Sequence, residues 1–193
     1  MLPKGVTELD RSKPLGCSSL RRTLQLRELY PDMEIKSIRG NLQTRLRKLD
    51  EGQYSGLILA AAGLKRLGSV GNPLTEEEML PAAGQGILAV QGRTGVDYAF
   101  LDGYCDADAW SAGCAERAFV RCLNGGCSSP VAAFGTVEGE MLFLRGLYYN
   151  EETGNWFKDS ILGNRKDAEE LGITLAEQMK ESDRTKQDKG EAE

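Results

Sequence analysis

The sequence contains no histidine, and this absence excludes several kinds of active site at once. A Ser-His-Asp triad, a Cys-His pair and a histidine-ligated zinc centre all need an imidazole. The 5 cysteines are odd in number, and no two of them form a Cys-x-x-Cys pair. We therefore expect neither a disulfide framework nor a metal site.

An excess of positive charge and a long apolar segment are also missing. The chain has 24 Lys and Arg against 29 Asp and Glu, a net charge of -5, so we predict no binding to nucleic acid or to an anionic membrane surface. No apolar run approaches the roughly 20 residues that span a bilayer. The N-terminus lacks the apolar stretch of a secretory signal. These features predict a cytoplasmic protein.

The order of elements in the first part of the chain predicts an α/β fold. Strands and helices alternate as β-α-β-α-β-α over residues 15–67, which implies a parallel, doubly wound sheet. Asn41 is a predicted N-cap of a helix that ends at Gly52. The apolar run at 57–61 is typical of a strand buried on both faces.

The later part of the chain predicts a smaller α+β unit. A short strand at 87–90 is followed by a helix at 112–123, and a second, amphipathic helix is expected at 166–180. Between these helices we predict a three-stranded antiparallel sheet with strands near 131–136, 141–149 and 156–161. The residues from 181 to 193 have almost no apolar side chains, so we predict a disordered tail.

Three strand-to-helix turns, at 16–19, 39–41 and 62–64, should expose free backbone N–H groups at one edge of the parallel sheet, where ligands bind. Arginines crowd the same turns: Arg21, Arg22, Arg39, Arg45 and Arg66. The guanidinium fork binds carboxylate or phosphate, so the pattern predicts a ligand with several negative groups. Solvated helix surfaces are the alternative. The turns match neither dinucleotide nor P-loop glycine patterns, which disfavours a nucleotide.

Cys127 differs from the other cysteines in its position. It follows two glycines at a predicted helix end and precedes Ser128, so we expect it in an exposed loop. An accessible thiolate is a nucleophile, although a structural role in the loop is equally open. Cys114 and Cys122 have the spacing of core positions on a helix.

Several long motifs occur together in this chain. They are Gly-Cys-Ser-Ser-Leu-Arg-Arg at 16–22, Ile-Arg-Gly-Asn at 38–41, Leu-Ala-Ala-Ala-Gly-Leu-Lys-Arg-Leu-Gly at 59–68, Leu-Pro-Ala-Ala-Gly-Gln-Gly at 80–86, Ala-Glu-Arg-Ala-Phe at 115–119 and Gly-Gly-Cys-Ser-Ser-Pro at 125–130. In this order the motifs resemble the hydroxymethylbilane synthase (porphobilinogen deaminase) family, from about residue 15 to residue 180.

The resemblance implies a transferase of tetrapyrrole, and hence heme and porphyrin, biosynthesis. Such enzymes join four porphobilinogen molecules head to tail, release ammonia each time and yield 1-hydroxymethylbilane. The growing chain of linear pyrrole intermediates sits on a dipyrromethane cofactor bound through a thioether, which here implies Cys127. The residues implied to hold the cofactor's acid side arms are Ser18, Ser19, Arg21, Arg22, Arg39, Gly40 and Arg45, with Arg66 for the substrate. The family also implies a monomer.

The chain departs from the family pattern at its beginning. The resemblance implies a periplasmic-binding-protein-like second domain at 1–73, a returning segment of the first domain at 74–96, a C-terminal α+β domain with the cysteine at 97–180, and the tail. The family's catalytic aspartate lies in the first domain, so no catalytic residue is identified. We expect the chain alone to be inactive, unless a separately encoded chain supplies that domain. A non-catalytic module binding tetrapyrroles or carboxylates, or a gene-model fragment, are the alternatives.

Overall fold

A computed structural model describes residues 1–2, 5–69, 71–126 and 129–190. The chain forms two compact units, Met1–Met79 and Leu80–Glu193. This boundary differs from the predicted bounds at 73 and 96, because Leu80 is buried against Ala132 and Leu147 of the second unit. The segment predicted as one returning piece, 74–96, is thus divided between the two units.

The first unit is an α/β unit in which short parallel strands alternate with helices. Its elements are β1 (Leu15–Gly16), α1 (Leu20–Leu29), β2 (Ile35–Lys36), α2 (Leu42–Asp50), β3 (Gly56–Leu57) and α3 (Ala61–Arg66). Leu15 of the central strand is in register with Ile35 on one side and Gly56 on the other, which gives the parallel order β2-β1-β3. The predicted alternation and parallel sheet are confirmed. The predicted strand at 57–61 is wrong in extent, because β3 ends at Leu57 and α3 begins at Ala61.

Two small apolar clusters hold this unit together. One contains the buried Leu15, Cys17, Leu26 and Met33. The other contains Ile38, Leu49, Tyr54 and Leu57. Gly16 lies between them, and a Cβ atom at this position would force the Leu57 side chain to move. The sheet is therefore closely packed just before the turn at 16–19.

The second unit is an α+β unit with long strands. Its elements are a 3₁₀ turn (Ala99–Leu101), α4 (Ala107–Cys122), β4 (Ala132–Glu138), β5 (Met141–Tyr149), β6 (Trp156–Asn164), a 3₁₀ turn (Arg165–Asp167) and α5 (Ala168–Gly190). The strands pair antiparallel in the order β4-β5-β6. The predicted three-stranded antiparallel sheet is confirmed. Residues of α4, α5 and the strands share one core around the fully buried Phe119.

The predicted strand at 87–90 is wrong. This stretch forms no strand, and the side chains of Leu88 and Val90 are 94% and 76% exposed. An apolar run becomes a strand only when a neighbouring strand takes up its backbone hydrogen bonds. Within the described residues no strand pairs with this stretch.

The predicted disorder of residues 181–193 is wrong as far as the structure describes them, because α5 continues to Gly190. Asp183, in this last part of the helix, is 3% exposed. Its carboxylate accepts hydrogen bonds from Asn150, Thr153 and Asn155 in the loop between β5 and β6. A polar contact with a distant loop therefore orders a segment whose composition alone predicted disorder. Of the helices described, none is long and apolar enough to cross a membrane.

Candidate functional site

The strand order of the first unit brings three loops to one edge of its sheet. The chain moves from β1 outward to β2 and then back across β1 to β3, so its direction reverses beside β1. In parallel α/β sheets, ligands bind outside the carboxyl ends of the strands at such a reversal. The loops that follow the three strands, at 17–19, 37–41 and 58–60, therefore form the candidate site.

Arg45 connects two of these loops. Its Nε donates to the Gly40 carbonyl at 2.8 Å, and one terminal nitrogen donates to the Ser18 hydroxyl oxygen at 3.3 Å. The structure thus brings together three residues that were predicted to share a site. The guanidinium group has five N–H donors, and these contacts account for two of them.

Asn41 holds Arg45 in position by starting α2. Its side-chain oxygen accepts a hydrogen bond from the Thr44 backbone N–H at 2.8 Å, which confirms the predicted N-cap. The cap fixes the first turn of α2, on which Arg45 lies. The helix ends at Asp50, and Gly52 follows with a φ of +74°, as the predicted stop requires.

The turn after β1 leads directly into α1. Ser19 is the N-cap residue of α1, and its backbone is extended. Within the described residues, its side chain makes no capping hydrogen bond. The first turn of α1 contains no acidic residue, so its N–H groups and positive dipole end suit an anion. Arg21 and Arg22 lie on this first turn and are half-buried.

Two predicted site residues, Arg39 and Arg66, are not part of the contact between Arg45, Ser18 and Gly40. Arg39 is exposed in the loop after β2. Arg66 is the last residue of α3, at the end of the helix away from the sheet edge, where a basic side chain also complements the helix dipole. The structure therefore brings Ser18, Gly40 and Arg45 into contact but does not place Arg66 with them.

Cys127 and Ser128 lie outside the described residues, and the structure describes the chain on both sides of them. α4 ends at Cys122, and Asn124 adopts a left-handed conformation with a φ of +52°. The Gly126 N–H donates to the Ser129 hydroxyl at 2.9 Å, and the Ser129 N–H donates to the Gly126 carbonyl at 3.1 Å. These reciprocal bonds join the two described residues that flank the predicted cofactor cysteine in the sequence.

Lys180 of α5 supports the same helix end. Its ammonium group donates to the Cys122 carbonyl at 2.6 Å, one of the last carbonyls of α4. A cation at a helix C-terminus satisfies orphan carbonyls and complements the dipole. The end of α4, which precedes Cys127 in the sequence, is therefore held by a side chain of α5.

Sequence reasoning missed two buried carboxylates in the second unit, Glu116 and Asp183. Burial raises the pKa of Glu116, and hydrogen bonds from the backbone N–H groups of Gly84 and Gly135 oppose the rise. A signal for Glu116 was present, because it lies beside Ala115 and before Phe119 on the apolar stripe of α4. A carboxyl group in such a stripe must find hydrogen-bond donors inside the protein.

The architecture is that of an α/β protein with a parallel α/β unit, which contains the candidate site, and a small α+β unit. Comparison with known families identifies it more closely. Residues 3–99 match a family model described as porphobilinogen deaminase, dipyromethane cofactor binding domain, and residues 110–181 match porphobilinogen deaminase, C-terminal domain. The chain belongs to the porphobilinogen deaminase family, and the first of its matched domains is the one that binds the dipyrromethane cofactor.

Curated relatives named porphobilinogen deaminase agree with this assignment. The protein from Alkaliphilus oremlandii is 51% identical over 186 residues, which cover 95% of this chain and 62% of the relative. The protein from Ruminiclostridium josui is 49% identical over 176 residues, covering 90% and 60% respectively. That from Acetivibrio thermocellus is 46% identical over 182 residues, covering 93% and 62%. The chain thus spans about 60% of the length of the relatives it matches.

Proposed function

We propose that this chain forms the pyrrole-binding and cofactor-carrying part of a hydroxymethylbilane synthase. In the reaction, four porphobilinogen molecules are joined head to tail, and each step forms one carbon–carbon bond and releases one ammonia. The observation that carries the proposal is the bridge from Arg45 to Ser18 and Gly40. This bridge lies at the ligand-binding edge of the sheet, within the segment that matches the cofactor-binding domain.

The donors at this edge suit the dipyrromethane cofactor, whose two pyrrole rings each bear an acetate and a propionate. Arginine forks and helix N-terminal N–H groups are the donors that carboxylates prefer. We assign the cofactor's carboxylates to Ser18, Ser19, Arg21, Arg22, Arg39, Gly40 and Arg45. The acid groups of the incoming porphobilinogen are assigned to Arg66, which is exposed at the end of α3.

We assign the covalent attachment of the cofactor to Cys127. A pyrrole that has lost ammonia carries an electrophilic methylene carbon, and a thiolate captures it to form a thioether. Among the other cysteines, Cys17 is buried, and Cys114 and Cys122 are half-buried on α4. Cys105 is exposed, but it lies outside the Gly-Gly-Cys-Ser-Ser-Pro motif at 125–130 that carries the family resemblance. The two hydrogen bonds between Gly126 and Ser129, which flank Cys127 in the sequence, support this assignment because they hold the two ends of its segment together.

The chain alone is not expected to turn over. It spans about 60% of its relatives' length, and an active site closed by only one wall can neither exclude water nor position both reactants. Exposed large apolar side chains in the second unit support packing against the part of the relatives that the match does not cover: Leu88, Val90, Phe100, Tyr104 and Trp110. A separately encoded chain is one source of that part.

The remaining features of the proposal follow the family. The first unit is taken as a doubly wound, periplasmic-binding-protein-like domain, which the reversal of strand order in β2-β1-β3 supports. We take the protein to act as a cytoplasmic monomer, with porphobilinogen and linear pyrrole intermediates as its small-molecule partners.

The test is to co-express this chain with the part of the Alkaliphilus oremlandii relative that the match does not cover. We expect hydroxymethylbilane formation, and intact-protein mass should show the dipyrromethane addition on this chain. Cys127→Ser should abolish both, whereas Cys105→Ser, at an exposed cysteine, should leave both unchanged. Product formation by the Cys127→Ser complex would refute the assignment, and sustained turnover by the chain alone would refute its inactivity.

A second candidate is a binding module that holds linear tetrapyrroles without catalysis. It is favoured by the location of the Arg45 bridge, which lies wholly within the first unit and needs no further segment. This candidate predicts measurable binding of a linear tetrapyrrole by the chain alone, an unmodified Cys127 by mass, and no product even in the co-expressed complex.

A further inference from the structure

Glu116 is a carboxylate buried inside the second unit with both of its oxygens engaged. It lies on α4 and is 3% exposed. One oxygen accepts a hydrogen bond from the Gly84 N–H at 2.6 Å, and the other accepts one from the Gly135 N–H at 2.8 Å. Hydrogen bonds to an ionised acceptor are about twice as strong as neutral ones, which compensates part of the cost of burying the charge.

The two donors come from segments that belong to different family domains. Gly135 lies in β4, an edge strand of the antiparallel sheet, within the stretch that matches the C-terminal domain. Gly84 lies within the stretch that matches the cofactor-binding domain, at 3–99. Glu116 therefore joins the end of one family domain to the sheet of the other, inside a single compact unit.

The segment around Gly84 is attached to the second unit by apolar contacts as well. Leu80 is buried against Ala132 and Leu147, and Ala83 packs against the core around Phe119. These contacts hold the side chains of the segment. The hydrogen bond from the Gly84 N–H to Glu116 holds its main chain at this point.

The main chain turns sharply at this point. The Gln85 N–H donates to the Ala82 carbonyl and the Ile87 N–H donates to the Gly84 carbonyl, so two tight turns share Gly84, whose φ is +72°. From Gln85 onward the residues are exposed up to 97. Gly84 thus lies directly before the exposed stretch that contains Leu88.

We propose that Glu116 is a positioning residue that anchors the turn at 82–87 to α4 and β4, and so sets the direction in which the exposed stretch leaves the second unit. The anchor makes the end of the cofactor-domain segment a structural part of the C-terminal unit. The inference does not depend on the reaction proposed above, because it concerns contacts within one unit of the chain as it exists.

Amide hydrogen exchange followed by NMR on the intact chain tests the anchor. In the wild-type protein the Gly84 N–H should exchange far more slowly than the Leu88 N–H, which lies on the same segment beyond the anchor. Glu116→Ala should raise the Gly84 exchange rate roughly tenfold or more, since a charge-assisted hydrogen bond is lost. Glu116→Gln keeps the shape but only one oxygen acceptor, so either Gly84 or Gly135 should lose protection.

Glu177→Gln, at an exposed position of α5, is the matched control and should leave both amides unchanged. Unchanged Gly84 exchange in both Glu116 variants would overturn the proposal. If those variants fail to fold, the wild-type measurement still decides, because a Gly84 N–H that exchanges as fast as that of Leu88 contradicts the anchor.

Discussion

The two units of this chain build their sheets in different ways. The first unit has three parallel strands of two residues each and two small apolar clusters. The second has antiparallel strands of seven, nine and nine residues, packed with two helices around one shared core. Because the strands of the first unit are so short, many of its residues lie in loops and at helix ends. The candidate site is formed by these parts of the unit.

The two units also use their polar side chains differently. In the first unit, the predicted ligand-binding groups lie just beyond strand ends, and a hydrogen-bonded arginine, Arg45, holds their loops together. In the second unit, buried carboxylates hold loops onto a sheet and helices that are already well packed. We therefore expect core substitutions to matter most in the second unit and polar substitutions to affect binding in the first.

The largest effect is expected from Phe119→Ala in the core of the second unit. Phe119 is fully buried, and removing a buried phenylalanine side chain costs about 3–5 kcal/mol in the free energy of unfolding. Denaturant unfolding monitored by circular dichroism would measure it. Phe100→Ala, at an exposed phenylalanine of the same unit, is the control and should change little. If both variants lost the same free energy of unfolding, packing around Phe119 would not be a main source of the unit's stability.

The next effect concerns binding by the first unit. Arg45→Gln removes the guanidinium that bridges Ser18 and Gly40, and hydrogen bonds to charged groups contribute about 1.5–3 kcal/mol. Affinity for a linear tetrapyrrole carboxylate, measured by calorimetry, should fall about 10- to 100-fold. Arg47→Gln, on the same helix but exposed, should bind as the wild type does. The assignment fails if the two substitutions weaken binding equally.

A smaller effect on stability is expected at Asp183 in the second unit. Asp183→Asn removes an ionised acceptor of several hydrogen bonds, and leaving buried polar groups badly paired costs about 1–3 kcal/mol. Chemical denaturation near neutral pH would show the loss. Asp102→Asn, at an exposed position, is the matched control and should be neutral.

The pH dependence of Asp183 has a definite sign. Burial acts to raise the pKa of Asp183, but hydrogen bonds from Asn150, Asn155, Gln187 and Thr153 outweigh it, so the folded-state pKa lies below its usual value. Its contribution to stability is therefore present above the unfolded-state pKa and is lost as the pH falls through the folded-state pKa. The difference between wild type and Asp183→Asn should shrink on acidification, and a difference that grew would contradict this.

The smallest effect is expected from Asn41→Ala at the start of α2. The lost capping bond to Thr44 should lower the free energy of unfolding by about 1 kcal/mol. Gln43→Ala, at an exposed site on the same helix, serves as the comparison, since alanine is a good helix former there. A cap variant as stable as the Gln43 variant would mean that tertiary packing alone starts α2.

Local signals were enough to predict much of this fold. The Asn41 cap, the alternation of strands and helices in the first unit, and the bounds of β5 at 141–149 follow from residues adjacent in sequence. The convergence of Ser18, Gly40 and Arg45 was also predictable, because parallel strands place their following loops at one edge.

The remaining features depend on contacts between distant residues. Asp183 orders the end of α5 through Asn150 and Asn155, about thirty residues earlier in the chain, and no local pattern contains this information. The stretch at 87–90 has the composition of a strand but no partner strand within the described residues. Arg66 stays a prediction, because α3 places it at the helix end away from the contact between Arg45 and Ser18.

The left-handed turn at Asn124 also bears on the chemical durability of the chain. An Asn-Gly sequence ages by deamidation, in which the glycine nitrogen attacks the asparagine side chain and forms a cyclic imide. Here the Gly125 nitrogen holds its proton in a 2.9 Å hydrogen bond to the Val120 carbonyl. The folded end of α4 therefore keeps this nitrogen from attacking, and stored protein should retain an intact asparagine beside the cysteine loop for as long as that helix end stays folded.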